Sequence, residues 1–190
     1  METDFQLIKK ARDGDSVAFE TLLYRYDRHV LNIAASFRNN EEDAKDIYQE
    51  VFLRVYKGLK NFQFRSEFST WLFRVTTNVC ITYENKKKKY NHDSLDKNSF
   101  DDDENSAPVS EYISSESFSD SKVLGNETRE KINKAVETLP AKQKMAFTLK
   151  YFQGLKIKEI AEMMNSSEGT IKRYLFTSTN KMRDLLKDLI

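Results

Sequence analysis

Four aromatic side chains, Phe62, Phe64, Phe68 and Trp71, fall close together in the sequence. Arg65 and Arg74 lie among and just after them, and Lys86, Lys87, Lys88 and Lys89 form an unbroken run further on. Flat rings stack on unpaired bases, at about 1–3 kcal/mol per base. Neighbouring cations hold the phosphates, in a salt-dependent way. The combination is suited to holding an opened nucleic-acid strand. The same residues have a plainer use, as core aromatics and a solvated helix end. Phe68 shares helical register with Leu72 and reads as core. Phe62 and Phe64 lie in the polar loop LKNFQFRSEFS with no register and read as functional.

A second set is acidic. Asp43, Asp46 and Glu50 stand at i, i+3 and i+7, so a helix puts them on one face, with Gln49 beside them. That spacing suits a protein contact or a solvated face better than a metal. A third set is Ser167, Glu168, Thr170, Lys172 and Arg173, at the start of a basic helix. Arg there reaches guanine, Glu cytosine and Thr a thymine methyl in a major groove. No residues assemble a catalytic site. There is no HExxH, no phosphate-cradling Gly loop and no nucleophile with a base. One Cys and two His leave no Cys/His zinc site. His29 and His92 are isolated, and Cys80 reads as a packing residue within an amphipathic helix. No metal, cofactor or small-molecule substrate is expected.

These residues need helices to position them. Among 190 residues only five Gly and two Pro occur, too few for a turn-rich β fold. The expected fold is all-α: two small helical domains joined by a flexible acidic linker, the second domain containing a helix-turn-helix. Residues 1–90 form the first domain, 91–126 the linker and 127–190 the second. Charge divides the chain in the same way, with net charges of +3, −7 and +5 on the three segments. The middle segment is rich in Ser, Asp and Asn and has no sustained apolar period, so it cannot offset the entropy of ordering. It is either a passive tether or an acidic strip that shields a basic surface.

In the first block, Thr3 and Gln6 have capping-box spacing before a helix that ends at Gly14. A long second helix is expected from Asp15 to Phe37, with Phe19, Leu22, Leu23, Tyr26, Val30 and Ile33 on its stripe. A third starts at Glu41 and ends at Gly58, with acids in its first turn where the helix dipole favours them. A fourth begins near Ser69 and runs out into the lysines. In the second block, Ile157, Ile160, Ala161 and Met164 mark a short helix. Asn165 suits a left-handed turn, and Ser166 or Ser167 caps the next helix, whose inner positions are Ile171, Leu175, Met182 and Leu185. That is helix-turn-helix spacing, although an ordinary helical hairpin would share much of it. No apolar run is long enough to span a membrane, and the opening METDFQLIKKARDGD is too charged for a secretory leader. A cytoplasmic protein is expected.

In order and spacing the chain resembles the bacterial RNA polymerase sigma factors of the extracytoplasmic-function group. The passages that carry the resemblance are DSVAFETLLYRYDRHVLNIA, EEDAKDIYQEVFLRVYKGLKNF, FRSEFSTWLFRVTTN and LPAKQKMAFTLKYFQGLKIKEIAEMMNSSEGTIKRYL. The resemblance implies a dissociable initiation subunit and no enzyme. By it, Asp43, Asp46, Gln49 and Glu50 bind the coiled coil of the largest polymerase subunit. Phe62, Phe64, Phe68, Trp71, Arg74, Asn78, Lys86 and Lys87 serve the opened −10 element of the promoter. Ser167, Glu168, Thr170, Lys172 and Arg173 read the −35 duplex. An anti-sigma protein joins polymerase core and promoter DNA among the implied partners. The chain departs from the family at Thr82, where an Asp is common, and in an all-Lys basic run, which lacks arginine's bidentate fork. The competing reading is a helix-turn-helix regulator with no affinity for polymerase.

Overall fold

A computed structural model describes residues 2–38, 40–95 and 126–187. These form α-helices and one π-turn, with no strand among the described residues. Helix α1 (Asp4–Arg12) opens with the expected capping box: Thr3 Oγ1 accepts from the Gln6 amide at 3.3 Å, and Gln6 Oε1 accepts from the Thr3 amide at 2.9 Å. The stripe expected as one helix from Asp15 is two, α2 (Ser16–Tyr24) and α3 (Asp27–Phe37). The break falls at Arg25 and Tyr26. The Arg25 guanidinium reaches Asp4 at 2.6 Å, and the Tyr26 hydroxyl also donates to Asp4. The apolar stripe runs through the break because both helices face the same core, so periodicity could not reveal it. Asn40 caps α4 (Glu41–Leu59) by accepting from the Asp43 amide at 3.0 Å.

Helix α5 (Phe68–Leu95) does not stop at the lysine run; it continues five residues past the expected end of the first domain, at residue 90. The rest of the acidic segment, residues 96–125, lies outside the described residues. The second block holds α6 (Asn126–Glu137), α7 (Ala141–Phe147), a π-turn (Thr148–Phe152), α8 (Ile157–Met163) and α9 (Glu168–Leu185). Helices α8 and α9 form the helix-turn-helix. Asn165 takes φ +47°, and Ser167 accepts from the Thr170 amide at 3.1 Å. The inner stripe of α9 holds Ile171, Leu175 and Met182, while Leu185 is exposed.

The two blocks are packed on one another. Helix α5 contacts α7 and α8, and the π-turn contacts α3. One apolar cluster joins Leu72, Val79 and Cys80 of α5 to Met145, Leu149, Ile160 and Met163 of the second block. Backbone acceptors of one block meet side-chain donors of the other. Thr77 donates to the Met163 carbonyl at 2.8 Å, Arg74 Nε to the Glu162 carbonyl at 2.7 Å and Lys88 to the Leu139 carbonyl at 3.0 Å. Gln153 donates to Ser36 Oγ at 2.8 Å. The Glu162 and Met163 carbonyls lie at the end of α8, where helix geometry leaves acceptors open, and the Leu139 carbonyl lies just past α6.

Candidate functional site

The loop before α5 is built around one inward and one outward ring. Phe62 is only 5% exposed and packs against Trp71, with centroids 5.1 Å apart, and Phe68, at 5.9 Å. The expectation that Phe62 presents its ring is therefore corrected: the ring completes the core under the loop. Phe68 is buried, as its register predicted. Phe64 is the exposed member and sits at φ +53°, a conformation that non-glycine residues seldom adopt. A polar loop can carry both orientations, which is why composition alone could not separate them. Trp71 is half-buried; a Cβ at Gly58 would lie 3.0 Å from its ring, so that glycine lets α4 approach the indole. Asn78 is exposed on α5, whereas Arg74 is engaged by the second block.

The acidic face of α4 is split. Asp46 and Gln49 are exposed and Glu50 is half-exposed; all three line a groove with Leu53, Tyr83, Lys86 and Tyr90. Asp43 is turned inward, so the expected four-residue polymerase face is three residues in this arrangement. Asp43 accepts from Arg38 at 2.6 Å, Lys87 at 2.8 Å and the Tyr83 hydroxyl at 2.9 Å. Lys87, expected on the DNA side, thus pairs with an acid expected on the polymerase side. Spacing on α4 alone could not show this, because Arg38 and Lys87 arrive from other elements.

Asp43 belongs to a larger buried ionic cluster that crosses between the blocks. The Glu84 carboxylate, with its side chain 2% exposed, accepts from Arg38 at 2.6 Å, Lys88 at 3.0 Å and Lys144 at 3.3 Å. Lys144 is fully buried, bonds Glu137 at 2.7 Å and lies 4.7 Å from the Phe37 ring centroid. Burial works to raise the Glu84 carboxyl, but the charges of Lys144, Arg38 and Lys88 overcome it and hold it below its usual range. Burial likewise opposes ionisation of Asp43, and the Lys87 and Arg38 hydrogen bonds outweigh it. For Lys144 burial wins and pushes the ammonium down, despite Glu137 and Glu84. Neither Glu84 nor Lys144 stood out in the sequence. An acid and a lysine on otherwise apolar helix faces were the only signal available.

At the other end of the second block, Ser167, Glu168, Lys172 and Arg173 are exposed, and Thr170 is half-buried beneath its cap. Ile171 and Leu175 anchor the helix from below. The start of α9 is therefore presented to solvent in this arrangement. Among the described residues no group of acids, His and Cys could hold a metal ion, and no helix is long and apolar enough to cross a membrane.

Comparison with known proteins joins these surfaces. Residues 22–90 match the family model for sigma-70 region 2, and residues 129–178 match sigma-70 region 4. Together the matches span more than half of the chain, region 2 before region 4. The chain belongs to the sigma-70 family. The RNA polymerase sigma-H factor of Pseudomonas aeruginosa is 28% identical over 193 residues, covering 100% of this chain and 96% of its own. The ECF RNA polymerase sigma-E factor of Escherichia coli K12 is 28% identical over 192 residues, covering 99% and 96%. The fold is shared with the sigma factor RpoE of Bartonella quintana, solved with the anti-sigma factor NepR, at TM-score 0.61, 20% identity and coverage of 89% and 96%. CnrH, solved with the cytosolic domain of CnrY, gives TM-score 0.59 at 18% identity, covering 98% and 99%. The sigma factor is of the extracytoplasmic-function group and is an alternative initiation factor, directing polymerase to promoter DNA. A regulator that never engages polymerase does not account for the region 2 match.

Proposed function

We propose that Asp46, Gln49 and Glu50 form the surface that docks on the coiled coil of the largest polymerase subunit, with Asp43 joining them when it leaves Arg38, Lys87 and Tyr83. Phe64, Trp71, Arg74 and Asn78 take the opened −10 strand, supported from beneath by Phe62 and Phe68, with Lys86 and Lys87 on its phosphates. Ser167, Glu168, Thr170, Lys172 and Arg173 read the −35 duplex. The chain acts in the cytoplasm, without catalysis of its own, and is silenced by an anti-sigma protein that covers its polymerase surface. The observation that carries the reading is the exposed start of α9: a capped helix end with Arg, Lys and Glu reaching outward behind a left-handed turn.

The closed arrangement adds a step. By their names the two promoter elements lie about 25 base pairs apart, roughly 85 Å along a duplex. Blocks that touch through Arg74 and Glu162 cannot hold both at once. The segment 96–125 reaches up to roughly 100 Å when extended, enough to let them part. Polymerase binding at Asp43 and release of the second block are coupled through Arg38, which holds Asp43 within the first block and reaches Glu137 of the second. A flipped base costs a few kcal/mol, so strand opening requires polymerase to hold the blocks and the strands apart.

The test is reconstituted initiation with core polymerase. Asp46→Ala loses polymerase binding by about 10-fold or more while keeping its fold, as expected for an exposed charged contact. Arg173→Ala keeps polymerase binding and loses upstream-duplex recognition, by about 1–3 kcal/mol. An Asp46→Ala chain that still assembles at wild-type affinity refutes the docking assignment.

A further inference from the structure

The exposed ring of Phe64 does not stand alone. Phe5 of α1 lies against it, with centroids 4.9 Å apart and the planes at 52°. Phe5 is 48% exposed and Phe64 37% exposed, so the pair forms a two-ring surface open to solvent. Cations frame it. Lys9 Nζ sits 4.6 Å from the Phe5 centroid, and the Arg12 guanidinium 5.0 Å from that of Phe64. Arg12 is fixed there because its Nε donates to the Leu59 carbonyl at 2.9 Å, tying α1 to the end of α4. Two acids at the start of α1 are already matched: Glu2 by Lys10 at 2.5 Å and Asp4 by Arg25 at 2.6 Å. Leu7 and Ile8 hold α1 in the core, so the fold does not need the Phe5 ring. Both Phe5 and Lys9 precede residue 22, where the region 2 match begins.

We infer that α1 supplies a second base-stacking position, beside the one at Phe64, for the unpaired strand of the opened promoter. Phe5 is the platform for a base adjacent to the one held at Phe64, and Lys9 and Arg12 take the flanking phosphates. Two tilted rings about 5 Å apart present separate faces to two successive bases, which suits a strand better than a single flipped nucleotide. Cations beside exposed rings favour a polyanion over an apolar peptide. The inference rests on the −10 reading above and extends it to a helix outside the matched region.

The experiment uses holoenzyme, made from the full chain and core polymerase, on a pre-opened bubble template. A 2-aminopurine replaces each unpaired base in turn, and stacking is read as quenching. At one position wild type quenches through Phe64, and at the neighbouring position through Phe5. Phe5→Ala and Phe5→Leu are expected to abolish quenching at the neighbouring position and weaken bubble binding about 10-fold, with duplex −35 binding unchanged. Phe5→Trp restores both. Lys9→Gln lowers the salt slope of bubble binding by about one phosphate. If Phe64→Ala weakens bubble binding while Phe5→Ala and Phe5→Leu behave as wild type, the α1 platform is refuted and the −10 reading stands. If Phe64→Ala is also without effect, the −10 reading itself falls.

Discussion

Glu84→Gln isolates the ionic contact that holds the two blocks together. Its carboxylate lies between Arg38 of its own block and Lys144 of the other, at 2.6 and 3.3 Å. The amide keeps the shape and removes the charge. Lys144, with no exposure, is then left with Glu137 as its only acid in the cluster, facing the Arg38 guanidinium. Stripping one partner from a buried pair costs about 3–5 kcal/mol. Part of that falls within the first block, where Arg38 still has Asp43 at 2.6 Å. The share acting between the blocks is that of one charge-assisted hydrogen bond, about 1.5–3 kcal/mol. At 1.36 kcal/mol per decade this moves the closed-to-open ratio by about 10- to 150-fold towards open. Opening returns Lys144 to water, so separation rather than unfolding relieves the loss. Dyes on Lys60→Cys and Lys158→Cys, both at exposed positions, report the separation by energy transfer. Glu84→Gln is expected to reduce transfer with helicity intact, and to strengthen core polymerase binding. Undiminished transfer in a normally helical Glu84→Gln chain refutes the cluster as the element that holds the blocks closed.

Three further outcomes follow from the same structure. Asp43 and Glu84 have carboxyls held below their ordinary values of about 3.9 and 4.3. Their contribution is present above those values and lost as pH falls through the lowered ones; Glu84 is the one that reaches across to Lys144, so energy transfer in the labelled wild type drops below about pH 4. Cys80 is fully buried between the blocks, and burial pushes its thiol up to about 12, so a thiol reagent at pH 8 labels it only when the blocks part or the chain unfolds. Thr148 in the π-turn has a buried hydroxyl without a hydrogen-bond partner; Thr148→Val removes an uncompensated polar group and raises stability by about 1 kcal/mol, read as a higher midpoint in urea.

Much of the helical order was legible because capping and apolar spacing are local. Thr3 with Gln6, Asn165 and Ser167 each act within four residues, and each does what its type dictates. The division between α2 and α3 was hidden because the stripe stays in phase across Arg25 and Tyr26 while a distant Asp4 holds the break. Phe62 and Phe64 are two residues apart in the same polar loop, and only the backbone reversal at Phe64 decides which ring faces outward. Spacing put Asp43, Asp46 and Glu50 on one face of α4, yet Asp43 turns inward because Arg38, Tyr83 and Lys87 converge from other elements. Closure of the two blocks was equally out of reach, since it depends on pairs such as Arg38 and Glu137, which lie 99 residues apart.

The pairing of Lys87 with Asp43, and of Lys88 with Glu84, bears on how a copy behaves before it meets an enzyme. A row of four bare lysines would cling to chromosomal DNA of any sequence, and clinging of that kind grows steeply with each available cation. With two of the four already paired internally, such non-specific clinging is expected to be weaker. Lys88 shares α5 with its i,i+4 partner Glu84, so on the reading proposed above only Lys87 is freed, when polymerase takes Asp43, and that added affinity for DNA arrives together with the machine that can use it.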